Sequence, residues 1–78
     1  MIAVRYFAGA AEAAGRESEE LAAATVEELR EAMVAAHGAG LARVLDRCSL
    51  LADGRRVAGT DPLPEGTTVD VLPPFAGG

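Results

Sequence analysis

A chain of 78 residues, half of them hydrophobic, is one domain close to the lower limit for a self-sufficient core. A net charge of −5, with arginine supplying all seven basic residues, argues against a nucleic-acid partner and suits a domain steered toward a basic protein. The single cysteine, Cys48, leaves no internal disulfide, no secretory leader opens the chain, and no apolar run approaches the ~20 residues of a membrane span. A cytoplasmic protein without a membrane partner is the expectation.

Met1 to Phe7 alternates as a strand, with Ile2, Val4 and Tyr6 on one face and Met1, Ala3, Arg5 and Phe7 on the other. Arg5 marks the water side, which predicts that Phe7 is exposed near the strand's end. Ala8 to Gly15 reads as a small flexible loop with at most one helical turn. Ser18 to Ala23 can pair back as an edge strand, its glutamates guarding against aggregation.

Thr25-Val26-Glu27-Glu28 matches a capping box, in which Thr25 caps the first amides and Glu28 reaches back. Val26, Leu29, Met33 and Ala36 recur at helical spacing and predict one apolar stripe against a sheet. Gly38 is the expected stop, and His37 in the last turn reads as a surface histidine favoured by the helix dipole. Leu41, Val44 and Leu45 form a further short helical turn over the core. Cys48 to Ala52 is a third strand, and Asp53-Gly54 is a two-residue hairpin turn into Arg55-Arg56-Val57. Asp61 to Gly66 makes consecutive turns with Leu63 as a plug, and Thr67 to Leu72 is the last strand, Val69 and Val71 inward.

The implied fold class is α+β: a roll with a mixed sheet of about five strands and one main helix packed on one face. A helical crossover makes the first and last strands parallel neighbours. Residues 1–72 form the domain and residues 73–78 a flexible tail. Catalytic constellations are missing: there is no phosphate-cradling glycine motif, no metal-binding cluster and no cofactor site, and Cys48 beside leucines reads as packing.

The end of the chain is different. Pro73 and Pro74 stiffen it, Phe75 and Ala76 follow, and Gly77 and Gly78 are narrow enough to enter a channel that rejects a Cβ. Six extended residues reach about 20 Å beyond Leu72. The terminal carboxylate of Gly78 is a poor electrophile until another enzyme activates it, which points to cargo attachment; an ordinary frayed terminus is the competing reading. Phe7 and Leu72, if their strands are parallel neighbours, flank the tail root as a candidate docking patch.

Met1-Ile2-Ala3-Val4-Arg5-Tyr6-Phe7-Ala8, Thr25-Val26-Glu27-Glu28-Leu29, Asp61-Pro62-Leu63 and Leu72-Pro73-Pro74-Phe75-Ala76-Gly77-Gly78 together resemble a ubiquitin-like β-grasp sulfur carrier, most closely the small subunit of molybdopterin synthase. That resemblance implies that Gly78 is adenylated by an ATP-using activating enzyme and converted to a thiocarboxylate. It implies that the chain itself binds no cofactor and serves as a sulfur-donating subunit for the large subunit of molybdopterin synthase. Carried over by position, Gly78 bears the sulfur and Gly77 threads the channel. Phe7, Leu72, Pro73, Pro74, Phe75 and Ala76 belong to the partner-binding set. Carriers for cysteine, thiamine thiazole or tRNA thiolation share the fold and the Gly-Gly end, and a ubiquitin-like interaction or modifier domain without sulfur is the alternative from another class.

Overall fold

Alternation along the first strand sets the layout. In β1 (Ile2–Tyr6), Ile2, Val4 and Tyr6 are buried while Arg5 is exposed, as a strand with one wet face requires. The structure, a computed structural model, describes residues 1–74; Phe75, Ala76, Gly77 and Gly78 lie outside the described residues. After β1 come α1 (Gly9–Ala14), β2 (Ser18–Leu21), α2 (Val26–His37), α3 (Ala39–Leu45), β3 (Ser49–Ala52), β4 (Arg55–Val57) and β5 (Thr68–Leu72). The sheet order is β2-β1-β5-β3-β4, with β1 and β5 parallel and the other neighbours antiparallel. This is the expected α+β β-grasp roll, with β5 at its centre.

The inward residues of β1 and β5 meet Leu29 and Met33 of α2 and Leu41 of α3 in one core, with Ile2, Val4, Leu29, Met33, Leu41, Val69 and Val71 fully buried. The expected stripe on α2 therefore holds at Val26, Leu29 and Met33 but not at Ala36, which is exposed. The core turns instead to α3, seven residues long rather than a single turn. Gly38 makes that corner. At φ 88° it ends α2 by donating to the Val34 carbonyl at 2.7 Å, and its own carbonyl accepts from Ala42 to open α3. The Ala8–Gly15 stretch, expected as a loop, is also helical over Gly9–Ala14, with Ala10 and Ala14 buried. Methyl-sized side chains let it lie close to α3.

The start of α2 leaves no amide unpaired. The Glu28 amide donates to Thr25 Oγ1 at 3.2 Å, and Glu28 Oε1 accepts from the Ala24 amide at 2.8 Å, one residue earlier than a standard capping box reaches. The amides of Val26 and Glu27 donate to the carbonyls of Asp61 and Gly59 at 3.0 and 2.8 Å, so the distant turn region completes the cap. Leu63, buried at 4 % exposure, plugs the end of the core beneath it. The β3–β4 hairpin turns on Asp53 and Gly54, both at positive φ (49° and 86°), as the Asp-Gly pair predicts.

Leu29→Ala should cost about 2–5 kcal/mol in chemical denaturation, because a fully buried leucine leaves a cavity. Ala36→Ser on the exposed side of the same helix should stay within about 0.5 kcal/mol.

Candidate functional site

The face of the sheet away from the helices follows from parity and pairing. Arg5 lies opposite Asp70 on β5, Asp70 opposite Leu51 on β3, and Leu51 opposite Arg56 on β4. One step toward the end of β5, Leu72 lies opposite Ser49, and the Phe7 amide donates to the Val71 carbonyl at 3.2 Å. The parallel register thus continues past β1 and sets Phe7 beside Leu72 at the carboxyl end of β5. Phe7 is 40 % exposed, one of two large hydrophobic residues so open among the described residues. Leu72 is half-buried by its neighbours, more covered than a water-facing position implies.

Arg5 organises this face. Its Nε and Nη2 donate to Asp70 Oδ1 and Oδ2 at 2.6 and 2.9 Å, a bidentate fork between the two parallel strands. Its guanidinium carbon stands 6.0 Å from the centre of the Phe7 ring, within cation–π range. The Asp70 hydrogen bond and charge raise the Arg5 pKa still further above its ordinary value, so the cation is permanent. A pair this exposed adds little stability; its effect is to hold register and to keep the Phe7 ring alongside.

Of the residues expected at the site, Phe7, Leu72, Pro73 and Pro74 come together at one corner of the molecule. Pro73 and Pro74 line a shallow groove with Ala8, Val44, Arg43 and Arg47. Phe75, Ala76, Gly77 and Gly78 lie outside the described residues. Arg5, Asp70 and Leu51 were missed from sequence. Two of them carried a signal: Arg5 and Asp70 each precede by two residues a member of the predicted pair Phe7 and Leu72, so the same parity puts them together.

On the helix side, His37 is not the surface residue expected of a helix end. Its Nε2 lies 2.5 Å from Glu19 Oε2, which also accepts from Tyr6 Oη at 2.6 Å, and both the His37 and Glu19 side chains are largely buried. The Tyr6 and His37 rings meet edge to face. Burial by itself would raise the Glu19 carboxyl, but the hydrogen bonds from Tyr6 and His37, with the charges of His37 and Arg16, hold it below its ordinary value of 4.5. Burial, then the Glu19 hydrogen bond and charge, push the Tyr6 hydroxyl above its ordinary 10. The cluster ties the edge strand β2 to β1 and to the end of α2. Cys48 is half-buried, its Sγ donates to the Val44 carbonyl at 3.2 Å, and burial raises its thiol, so it is a packing residue. Among the described residues no group of three or more His, Cys, Asp or Glu is placed to hold a metal, and no helix is long and apolar enough to cross a membrane.

The β-grasp sheet thus has its first and last strands parallel and an apolar corner at the end of β5. The ThiS family model matches residues 4–78. The chain belongs to the ThiS family. As a ThiS-family chain it is a ubiquitin-like sulfur carrier, as the sequence resemblance implied. Among solved structures it is similar to SAMP1, small archaeal modifier protein 1, of Haloferax volcanii, at 29% identity and TM-score 0.85, covering 99% of this chain and 98% of that one. It is similar to a chain in the complex of subunits 1 and 2 of the molybdopterin-converting factor from Helicobacter pylori, at 26% identity and TM-score 0.71, covering 99% and 97%. It is also similar to the HVO 2177 protein of Haloferax volcanii, at 30% identity and TM-score 0.76, covering 99% and 85%. No curated protein matches the chain.

In this ThiS-family chain Phe7→Arg should change stability by no more than about 1 kcal/mol, whereas Tyr6→Arg buries a charge in the core and should unfold the domain. Thermal melts decide between them, and the reverse outcome would shift the β1 register by one residue. The Glu19 cluster has its own signature. A carboxyl held below its ordinary value in the fold contributes stability that is complete above 4.5 and is lost as pH falls through the lower folded value. The melting temperature of the wild-type chain should therefore fall more steeply from roughly pH 6 to 2 than that of Glu19→Gln.

Proposed function

We propose that this ThiS-family chain is the small, sulfur-donating subunit of a molybdopterin synthase, and that the carboxylate of Gly78 carries the sulfur as a thiocarboxylate. The observation that carries the reading is the placement of Phe7, Leu72 and Leu51 on one open sheet face that runs into Pro73 and Pro74 at the tail root. The face is apolar at the corner, polar at its rim and continuous with the tail, so a partner seated on it receives the tail at the same time. The similarity to a chain of the complex of subunits 1 and 2 of the molybdopterin-converting factor supports a large subunit as that partner.

The chemistry needs no catalytic side chain from this chain. In an ATP-using activating enzyme, a Gly78 carboxylate oxygen bonds to the α-phosphorus of ATP and pyrophosphate leaves. A sulfide-level nucleophile then bonds to the acyl carbon, the bond to AMP breaks, and a thiocarboxylate remains. In the large subunit that sulfur displaces an oxygen leaving group from a carbon of a pterin precursor, and water then cleaves the acyl–sulfur bond, leaving the thiolate on the pterin and returning the Gly78 carboxylate. Phe7, Leu72, Pro73, Pro74, Phe75 and Ala76 hold the partner, and Gly77 passes the narrow channel where a Cβ would collide.

A second reading, a ubiquitin-like modifier, draws on the similarity to small archaeal modifier protein 1 at TM-score 0.85. It shares the activation of Gly78 but ends in attachment to another protein rather than in sulfur transfer.

One alanine added after Gly78, or Gly77→Val, should abolish dithiolene formation in a synthase reconstituted with activating enzyme, ATP and sulfur donor, with the melting temperature unchanged. Phe7→Arg should weaken binding to the large subunit by roughly 2 kcal/mol or more in titration calorimetry. Full activity of the extended chain would show that the terminus is not the reacting group.

A further inference from the structure

The arginines are not evenly used. Arg5 is paired with Asp70, Arg16 with Glu19 and Arg30 with Asp46 at 2.6 Å. The other four, Arg43, Arg47, Arg55 and Arg56, are exposed and make no ion pair with another described residue; of these, Arg43 near the end of α3 and Arg47 just beyond it are the two beside the tail root. Both line the groove that holds Pro73 and Pro74. Among the described residues the one carboxylate lining that groove is Asp46, which pairs with Arg30, so no described carboxylate there compensates the two cations. In a chain of net charge −5, the root of the tail is thus locally positive. The groove is also continuous with the docking corner, since Ala8 on its wall follows Phe7 and Pro73 follows Leu72.

We propose that Arg43 and Arg47 form a basic docking surface for an acidic protein rim, the carboxylate-lined mouth of the channel through which the activating enzyme takes up the tail. The inference rests on the reading that Gly78 is activated by such an enzyme. The four residues after Pro74 reach at most about 14 Å, so the mouth of any channel that holds Gly78 must come down over the tail root. Carboxylates on that mouth would meet the two guanidinium groups as the tail enters. Exposed charges at a rim act on encounter more than on the final complex, and their reach is set by salt. The pair also offsets the repulsion that the acidic remainder of the chain would feel from an acidic mouth.

The test is stopped-flow association of the full-length chain with the adenylating enzyme from its own genome, across a series of salt concentrations. Arg43→Glu/Arg47→Glu should slow association about tenfold or more at low salt, and Arg43→Gln/Arg47→Gln should fall between it and the wild type. The three should converge at high salt, with dissociation rates and melting temperatures little changed. Equal association rates and equal salt dependence for all three, with the wild type binding normally, would overturn this inference alone. A wild-type chain that does not bind the enzyme would overturn the proposed function and this inference with it. Binding of duplex DNA that the same substitutions abolish would also overturn it, by assigning the pair to phosphate.

Discussion

The parallel pairing of β1 with β5 is the constraint on which the rest depends. It joins the two ends of the described chain, residues 3–6 against 68–71, and so brings the start of the sequence to the root of its tail. Parity then does the remainder. Ile2, Val4 and Tyr6 share the inner face with Val69 and Val71, and Arg5 shares the outer face with Asp70. A slip of one residue would send Phe7 inward and expose Tyr6, removing the core and the docking corner together. The Arg5–Asp70 fork opposes that slip at the middle of the pair.

Helix α2 makes the parallel connection possible, because a crossover must run over one face before the chain can return. Its start is held by two distant pieces of chain at once. Thr25 and Glu28 cap locally, and the Gly59 and Asp61 carbonyls reach across from the segment that leads into β5. The cap of α2 therefore depends on the turn segment that precedes the central strand. The opposite end of α2 is held by His37 on Glu19, which fastens the edge strand as well. Both ends of the main helix thus report on sheet assembly, while the sheet's outer face stays open for a partner.

What was legible in the sequence followed its periodicities. A period of two exposes the faces of β1 and β5 directly, and an Asp-Gly pair requires a turn whatever surrounds it. Local chemistry likewise announced Thr25 as a cap and Gly38 as a stop. The α1 helix was hidden because six residues, five of them Gly or Ala, carry too weak a helical signal alone; it packs against α3. The Tyr6–Glu19–His37 cluster was hidden because its members are 13 and 18 residues apart and meet only through the fold. In the site, Phe7 and Leu72 could be found from alternation, whereas Leu51 needed the register of β3, and the position of Arg43 and Arg47 beside the tail root needed the fold.

Division of labour follows from this architecture. The domain supplies the sheet face, and on the proposed reading Gly78 supplies the reacting carboxylate. The central claim is that Gly78 carries sulfur. The most direct measurement is the intact mass of the chain after incubation with activating enzyme, ATP and a sulfide source, followed by fragmentation of its C-terminal peptide. The expected result is a mass gain equal to one oxygen replaced by sulfur, located on Gly78. A chain that gains no sulfur, or that gains it on Cys48, would contradict it.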